Sequence, residues 1–285
     1  MLKTRIITAL ILLAILLPAL FYTGSNLPFT ILVLVFMAAG AWEWGRLNGF
    51  GMLGGLATAA VCLALCLGSW ALGWLGQPLT MLWLVAGSIW VLGGGLLLRA
   101  GVPGWGQIPK PVRLAGGVLA LWVAWMALVQ AHAVGINFLL SILVLVWVAD
   151  VFAYIAGRTL GLKFTKSKLA VSISPGKSWE GAWGGAIGVV VLALVWSALD
   201  KHYKVSVPSF YSVLQAQGTW FLVLAAIFMA AMSVVGDLVE SLIKRSVGVK
   251  DSSGLLPGHG GVLDRVDALL PALPLAMMLT SLVHP

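Results

Sequence analysis

The chain has 285 residues, of which 61% are hydrophobic and only 9% are charged, and its formal net charge is +8. A soluble globular protein carries about 25% charged residues, so this composition excludes a surface that faces water throughout. The basic residues are separated by long apolar segments, which excludes a nucleic-acid-binding patch and favours loops that flank membrane spans.

Nine apolar segments are long enough to cross a membrane, because a spanning helix needs roughly 20 apolar residues. They are residues 6–22, 27–44, 52–75, 79–98, 112–133, 137–156, 182–199, 220–238 and 266–283. The sequence therefore predicts an all-α, polytopic membrane protein with about nine transmembrane helices. We divide it into N-terminal transmembrane helices, residues 1–133, and a C-terminal transmembrane region with long loops, residues 134–285.

The first segment follows Lys3 and Arg5, as the apolar core of a signal peptide follows basic residues. Its apolar run is longer than such a core usually is, and no A-x-A cleavage site follows it. We therefore expect a retained helix.

Cys62 and Cys66 lie four residues apart in the third span, which places them on one face of a helix. We expect both to be small buried hydrophobic residues rather than a disulfide or a metal site.

The basic residues sort to one side of the membrane if the nine spans alternate in direction. On that side lie Lys3, Arg5, Arg46, Arg99, Lys110, Arg113, Arg158, Lys163, Lys166, Lys168, Lys177, Lys244, Arg245, Lys250 and Arg265. Only Lys201 and Lys204 fall on the other side. The positive-inside rule then predicts a cytoplasmic N-terminus, with the long loops near residues 157–181 and 239–265 in the cytoplasm.

The first acidic residue, Glu43, stands between Trp42 and Trp44 at the end of the second span. It could end the helix within an aromatic belt at the membrane surface. A carboxylate beside an apolar span is otherwise a candidate functional group, because its burial in lipid is costly.

Asp150, Tyr154 and Gly157 follow one another at helical spacing on one face of the sixth span. The loop that follows, Ser172–Gly181, reads SISPGKSWEG. Its serines, glycine and Lys177 could cradle a phosphate, or the segment could be a turn in which Ser178 and Glu180 cap the seventh span.

The eighth span ends in a stripe of polar residues, because Asp237, Glu240, Ser241 and Lys244 are spaced for one helix face. Asp264 and Asp267, three residues apart at the start of the ninth span, can also share a face. Carboxylates that converge in this way repel one another unless cations intervene. Oxygen ligands favour Mg²⁺, so the pattern predicts a divalent metal site.

The same stretch is basic and rich in glycine, and its lysines and arginines could neutralise the remaining charge of a metal-bound phosphate. The alternative is that these interfacial charges form salt bridges with one another and that the glycines are plain turns. That alternative does not explain why carboxylates concentrate at the ends of two apolar helices.

The segment from Ser241 to Asp267 reads SLIKRSVGVKDSSGLLPGHGGVLDRVD. It resembles the signature of the phosphatidate cytidylyltransferases, which runs S-x-x-K-R, K-D, P-G-H-G-G and D-R-x-D. The preceding Gly236–Asp237–Leu238 and the segment DVFAYIAG from Asp150 to Gly157 also resemble the family. One departure is in the loop before the seventh span, where the family commonly has S-P-K-K-T-x-E-G and this chain has SPGKSWEG. Gly176 therefore cannot take a basic role, although Lys177 and Glu180 can still be carried over.

The resemblance implies a Mg²⁺-dependent enzyme that transfers CMP from CTP to phosphatidate, giving CDP-diacylglycerol and pyrophosphate; a second cation is compatible with the site. It implies Asp237, Asp264 and Asp267 as metal ligands, with Lys250 acting on phosphate. His259 could donate to the leaving pyrophosphate or only order the loop. The substrate-binding residues would be Ser174, Lys177, Glu180, Ser241, Lys244, Arg245, Asp251, Arg265, Asp150 and Tyr154.

The expected partners are CTP, phosphatidate and membrane lipid, without nucleic acid, and the resemblance suggests a homodimer. The expected location is the bacterial inner membrane, with the active site at its cytoplasmic face. Two other classes of membrane protein are alternatives. An ion-coupled transporter would favour repeats and a midplane site, whereas these acids cluster at one face. Another lipid enzyme, a CDP-alcohol phosphatidyltransferase, resembles D-G-x-x-A-R, which does not occur in the chain.

Overall fold

The computed structural model describes residues 2–283, with side chains from residue 4 onward, so the side chain of Lys3 lies outside the described part. The long helices are α1 (Leu2–Phe21), α2 (Leu27–Leu47), α3 (Gly51–Ala71), α4 (Thr80–Gln107), α5 (Lys110–Val134), α6 (Ile136–Leu160), α7 (Trp179–Tyr203), α9 (Thr219–Ser246) and α11 (Leu269–Val283). The short elements are β1 (Lys168–Ala170), β2 (Ser174–Ser178), α8 (Phe210–Gln215) and α10 (Leu263–Val266). A single 3₁₀ turn covers Trp74–Gly76.

Nine helical segments in the described residues are long and apolar enough to cross a membrane, which confirms the predicted number. The ninth segment, Leu263–Val283, includes both α10 and α11. The third ends at Ala71 instead of the predicted residue 75, because Gly73 adopts a left-handed conformation (φ 74°) before the 3₁₀ turn. The protein is therefore a polytopic, all-α membrane protein with very little sheet.

The centre of the bundle is formed by α5, α9 and α11, which are the most deeply buried of the spans. Trp125 and Met126 of α5 are fully buried, and so is Met229 of α9. The first helix lies at the periphery, and most of its apolar side chains are exposed on the surface of the isolated chain. In a membrane these side chains would face lipid. Cys62 and Cys66 are free and buried, as predicted.

A close contact between α6 and α7 fixes the geometry of one side of the bundle. The glycines of α7 lie directly on α6, where a Cβ at Gly185 would be 2.8 Å from the Ala149 carbonyl oxygen. A Cβ at Gly184 would collide with the side chain of Ala156. Small residues let transmembrane helices approach this closely.

The connection from α6 to α7 is a short β-hairpin, in which β1 and β2 pair antiparallel. The sequence predicted only a loop here, because Ser174–Ser178 lacks the alternation of apolar and polar residues that marks a strand. At the other end of α7, the buried carboxylate of Asp200 accepts hydrogen bonds from Asn137 and Ser209 (3.0 and 2.9 Å). It also accepts one from Ser212 (2.6 Å), and it thereby anchors the short helix α8.

Candidate active site

The predicted site residues gather at one end of the bundle. This end is formed by the last turns of α6 and α9, the β-hairpin, the first turn of α7, the loop at residues 247–262 and α10. The loop, which we call the glycine-rich loop, joins α9 to α10. It places polar side chains from distant parts of the sequence close to one another.

Backbone conformation explains the glycines of this loop. Gly258 and Gly260 have positive φ angles (77° and 81°), which side chains other than glycine rarely adopt. An isolated bridge between Leu256 and Gly260 closes the turn, and His259 lies at its tip. The Nδ1 atom of His259 is buried and has no hydrogen-bond partner among the described residues.

Glu43 of α2 holds this loop in place through hydrogen bonds. Its side chain is completely buried, and it accepts hydrogen bonds from the backbone N–H groups of Val262 (2.9 Å) and Leu263 (2.8 Å). The hydroxyl groups of Ser252 (3.1 Å) and Ser253 (2.5 Å) also donate to it. Glu43 therefore satisfies four donors of the loop and of the N-terminal end of α10. Since its carboxylate is buried and bound, Glu43 does not simply end α2 at the membrane surface.

Glu43 also explains the second glycine of the Gly260–Gly261 pair. A Cβ at Gly261 would collide with the carboxylate of Glu43 and with the hydroxyl group of Ser252. Only a residue without a side chain lets the loop lie this close to α2.

Asp264 belongs to a second group of buried charges. Its Oδ1 atom pairs with Lys244 at 2.5 Å, and Lys244 pairs on its other side with Glu240, also at 2.5 Å. The Oδ2 atom of Asp264 accepts hydrogen bonds from the backbone N–H groups of Gly261 (2.7 Å) and Ser252 (2.9 Å), and from the Ser252 hydroxyl group (2.9 Å). Both carboxylate oxygens of Asp264 are therefore engaged by protein donors.

Asp237 lies in a different group, one that is partly open to solvent. It forms an ion pair with Lys177 of β2, and both side chains are more than one quarter exposed. Its Oδ1 atom accepts a hydrogen bond from Ser241 at 3.3 Å. The stripe predicted along α9 is thus divided, because Asp237 and Ser241 face the hairpin whereas Glu240 and Lys244 face Asp264.

Asp150 and Asp267 lie within electrostatic range of Asp237, and of each other. Lys177 and Arg265 are the cations within range of Asp150. Asp267 follows α10 directly, and its Oδ1 atom accepts a hydrogen bond from the N–H group of Ala268 at 2.7 Å. Three carboxylates from three elements thus influence one another electrostatically, with Lys177 and Arg265 within range of Asp150.

Glu180 has a local partner instead of an open environment. Its Oε1 atom accepts hydrogen bonds from the N–H groups of Phe164 (3.1 Å) and Thr165 (2.8 Å), and from the Thr165 hydroxyl group (2.8 Å). Ser178 caps α7 by accepting from the N–H group of Gly181 at 3.2 Å, as one interpretation of the sequence predicted. Glu180 therefore orders the segment that leads into the hairpin.

The remaining predicted residues line the rim. Lys250, Asp251 and Arg265 are exposed, and Ser174 is half-buried at the start of β2. Arg245 donates to the carbonyl oxygens of Ile173 (3.4 Å) and Val249 (3.2 Å), so it ties the end of α9 to the hairpin. Tyr154 is 63% exposed on α6, and its hydroxyl group accepts a hydrogen bond from Arg158 at 2.7 Å.

The carboxylates that could hold a metal ion differ from the predicted set. Within residues 2–283, no three His, Cys, Asp and Glu side chains lie close enough together to form a ready site. Asp264 does not fit in this conformation, because both of its oxygens are engaged. Asp237, Asp267 and Asp150 do fit chemically, since carboxylate oxygens on separate elements are the donors that Mg²⁺ accepts together with substrate phosphate.

Comparison with known proteins identifies the family of the chain. The sequence profile described as the cytidylyltransferase family matches residues 3–283. A phosphatidate cytidylyltransferase from Pseudomonas aeruginosa is 39% identical over 282 residues, which cover 96% of this chain and 95% of that protein. A phosphatidate cytidylyltransferase from Brucella abortus is 34% identical, with 95% and 90% covered. One from Staphylococcus epidermidis is 31% identical, with 97% and 98% covered. The chain therefore belongs to the cytidylyltransferase family.

Proposed function

We propose that this protein is a phosphatidate cytidylyltransferase, which makes CDP-diacylglycerol and pyrophosphate from phosphatidate and CTP. The observation that carries the proposal is the match to relatives of that name over nearly the whole length of both chains. The cluster of carboxylates and cations at one end of a membrane bundle supports it, because one reactant is a lipid and the other is soluble in water. The relatives do not favour a transporter or a CDP-alcohol phosphatidyltransferase.

The reaction needs no nucleophile from the protein. An anionic phosphate oxygen of phosphatidate attacks the α-phosphorus of CTP, and a new P–O bond forms. The bond from the α-phosphorus to the oxygen that bridges to the β-phosphate breaks, and pyrophosphate leaves with the electron pair. Since both reactants are anions, positioning and neutralisation of charge should supply most of the catalysis.

Cations at the rim, of which Lys250 and Arg265 are exposed and Lys177 is half-buried, are suited to neutralise phosphates. Lys177, Lys250 and Arg265 carry flexible charged groups at the opening of the site. We assign Asp150, Tyr154 and the residues of the hairpin to contacts with substrate. The buried Nδ1 atom of His259 has no hydrogen-bond partner among residues 2–283, and we assign to it a contact with the leaving pyrophosphate.

We further propose that the enzyme depends on Mg²⁺, held by Asp237 and Asp267 with Asp150 nearby. When bound, the ion would neutralise phosphate oxygens and stabilise the charge that develops on them. The role of Asp264 in this proposal is to fix Lys244 and the glycine-rich loop beside the site. A second cation and a homodimer follow from the family resemblance alone.

The proposed location is the bacterial inner membrane, with the site at the cytoplasmic face. The distribution of basic residues and the water-soluble nucleotide support this orientation.

The test is the formation of labelled CDP-diacylglycerol by protein purified in detergent, from phosphatidate and CTP labelled at the α-phosphate, across a titration of Mg²⁺. Lys250→Ala should lower kcat/KM for CTP and leave the melting temperature unchanged, because an exposed lysine contributes little to stability. The matched control is Lys201→Ala, which alters an exposed lysine in the last turn of α7, at the other end of the bundle. Absence of labelled lipid with the wild-type protein would refute the proposed function.

A further inference from the structure

The first turns of α1 lie against the glycine-rich loop, although the rest of this helix is peripheral. The hydroxyl group of Thr8 donates a hydrogen bond to the carbonyl oxygen of Pro257 at 2.9 Å. A Cβ at Gly258 would lie 2.9 Å from the Cγ atom of Arg5 and 3.5 Å from its backbone nitrogen. Position 258 therefore requires glycine for two reasons, which are the positive φ angle and the closeness of Arg5.

The opposite end of α1 is fixed as well. The Nε2 atom of His132 in α5 donates to the carbonyl oxygen of Leu20 at 3.0 Å. The ring of His132 also stacks on Phe29 of α2, with 4.3 Å between the ring centres, and all three residues are buried. Because α1 is held at both ends, its contact with the glycine-rich loop is part of the packed fold.

The side chain of Arg5 has a packed stem and a charged end that is open to solvent. The stem lies on the backbone of Gly258, and the residue as a whole is exposed. None of the three ion pairs within residues 2–283 engages Arg5. The positive-inside rule explains a basic residue before the first span, but it does not explain this contact with the loop. A planar guanidinium with several donors is suited to bind a phosphate group at two points.

Few cations of the site are available to a phosphate at the tip of the loop. Lys177 and Lys244 are already paired with carboxylates, which leaves Lys250 and Arg265 at the rim. The buried ring nitrogen of His259, assigned above to the leaving pyrophosphate, lies at this tip. A further cation beside His259 would stabilise the bound triphosphate and the charge that develops on its leaving group.

We infer that Arg5 of α1 binds the β- or γ-phosphate of CTP at the tip of the glycine-rich loop. The contact with Gly258, the neighbour of His259, favours the nucleotide over the lipid as the source of this phosphate. The inference rests on the proposed function and adds the first transmembrane helix to the nucleotide site. Phosphatidate carries a phosphate of the same chemistry, so the test compares the two reactants.

The first test is kinetic. Arg5→Ala should raise KM for CTP about tenfold, or ~1.4 kcal/mol of binding free energy. KM for phosphatidate and the melting temperature should stay at the wild-type values. Arg5→Lys should recover part of the loss, because lysine retains the charge but not the planar fork. The matched control is Arg99→Ala, which removes an exposed arginine of α4 on the same predicted side of the membrane and should behave like wild type.

Three kinetic results would overturn the inference. The first is an unchanged KM for CTP in Arg5→Ala. The second is an equal change in Arg99→Ala, because loss of any positive charge at this face would then be sufficient. The third is a rise in KM for phosphatidate alone, which would assign Arg5 to the lipid phosphate.

A second measurement does not depend on turnover. Equilibrium dialysis in detergent, with Mg²⁺ and without phosphatidate, gives Kd for labelled CTP and, by competition, Kd for CMP. Arg5→Ala should weaken binding of CTP about tenfold and leave binding of CMP unchanged, because CMP lacks the β- and γ-phosphates. An equal loss for both nucleotides would overturn the inference, since general damage to the loop would then explain it.

These measurements separate the inference from the proposed function. Wild-type protein that binds CTP but forms no CDP-diacylglycerol would refute the proposed function, and dialysis would still decide the role of Arg5. Formation of CDP-diacylglycerol, together with wild-type affinity for CTP in Arg5→Ala, would refute the inference alone.

Discussion

At the scale of single residues, the glycine-rich loop depends on a carboxylate from the other half of the sequence. Glu43 accepts two backbone and two hydroxyl hydrogen bonds in a completely buried environment. A buried donor that loses its acceptor costs about 1–3 kcal/mol. The loop therefore owes its conformation both to its own glycines and to α2.

Glu43→Gln should lower the melting temperature and reduce turnover at least tenfold. The amide retains one acceptor oxygen, but its NH₂ group would face N–H and hydroxyl donors that need an acceptor. Thermal melting and the formation of CDP-diacylglycerol measure the two effects. The control is Asp200→Asn, which changes another buried carboxylate with three donors at the far end of α7. It should lose stability and retain turnover at low temperature; equal loss of turnover in both variants would contradict a specific role for Glu43.

The structure also predicts different effects for substitutions of Asp264 and Asp267, although the sequence predicted both as ligands of one metal site. Asp264→Asn should destabilise the protein, because it removes the negative charge that faces the buried Lys244 and leaves a single acceptor oxygen for Lys244 and the loop donors together. Asp267→Asn should keep the melting temperature and raise the Mg²⁺ concentration needed for turnover. A Mg²⁺ titration with thermal melts on both variants decides the point. If Asp264→Asn melted like wild type and changed only the Mg²⁺ requirement, Asp264 would be a ligand after all.

At the scale of secondary structure, the contact between α6 and α7 sets the positions of the site residues that these helices carry or adjoin. Gly181, Gly184, Gly185 and Gly188 lie at helical spacing along α7 and contact backbone or side-chain atoms of α6. Asp150 lies on α6, and Lys177 lies in β2, two residues before the start of α7. The distance between these two helices thus controls where a carboxylate and a cation of the site stand.

Gly184→Val should destabilise the bundle by about 1–3 kcal/mol, because the added side chain would collide with Ala156. The control is Gly68→Val on α3, where an added Cβ would meet nothing within 4 Å. Thermal melting in detergent compares the two variants. Equal melting temperatures would show that α6 and α7 separate at little cost.

The transmembrane helices could be predicted from the sequence, whereas two shorter elements could not. Length and apolarity were enough to predict the nine spans, since lipid imposes these two properties on a spanning helix. The ends of α4 and α9 were predicted less well, because these helices continue to Gln107 and Ser246, nine and eight residues past the predicted ends at 98 and 238. The hairpin and α8 were not predicted, because their conformations depend on tertiary contacts. Ser209, Phe210 and Tyr211 are buried against α6, and the hydroxyl groups of Ser141 and Tyr211 tie the two elements together.

The sequence predicted which residues belong to the candidate site but not which of them contact one another. The motif from Ser241 to Asp267 identified the residues that gather at one end of the bundle. It could not show that Lys244 joins Asp264 to Glu240, or that Asp237 pairs with Lys177, because those partners depend on how the helices rotate. For Glu43, the only sequence signal was an acidic residue in an apolar helix, and a helix end explained that signal equally well.

At the scale of the whole molecule, the orientation in the membrane remains a prediction from the basic residues. It can be tested with single cysteines, because the native Cys62 and Cys66 are buried and should not react. Ser172 in the hairpin and Ser206 after α7 are both exposed, so cysteines there can be labelled. Ser209 in the same loop as Ser206 is unsuitable, because it is fully buried and caps α8. Ser172→Cys should be labelled from the cytoplasm and Ser206→Cys from outside. Labelling of position 206 from the cytoplasm would contradict the predicted topology.

The bond between Glu43 and the glycine-rich loop has a consequence for how the protein is made. Ser252 follows Glu43 by 209 residues, and translation proceeds at about 5–20 residues per second, so the carboxylate spends roughly 10–40 s in the nascent chain before its partners are synthesised. The N-terminal helices must therefore enter the membrane with this site unfinished. Its assembly is completed only when the last span has arrived, so a ribosome that stalls before residue 252 leaves an inserted but inactive protein.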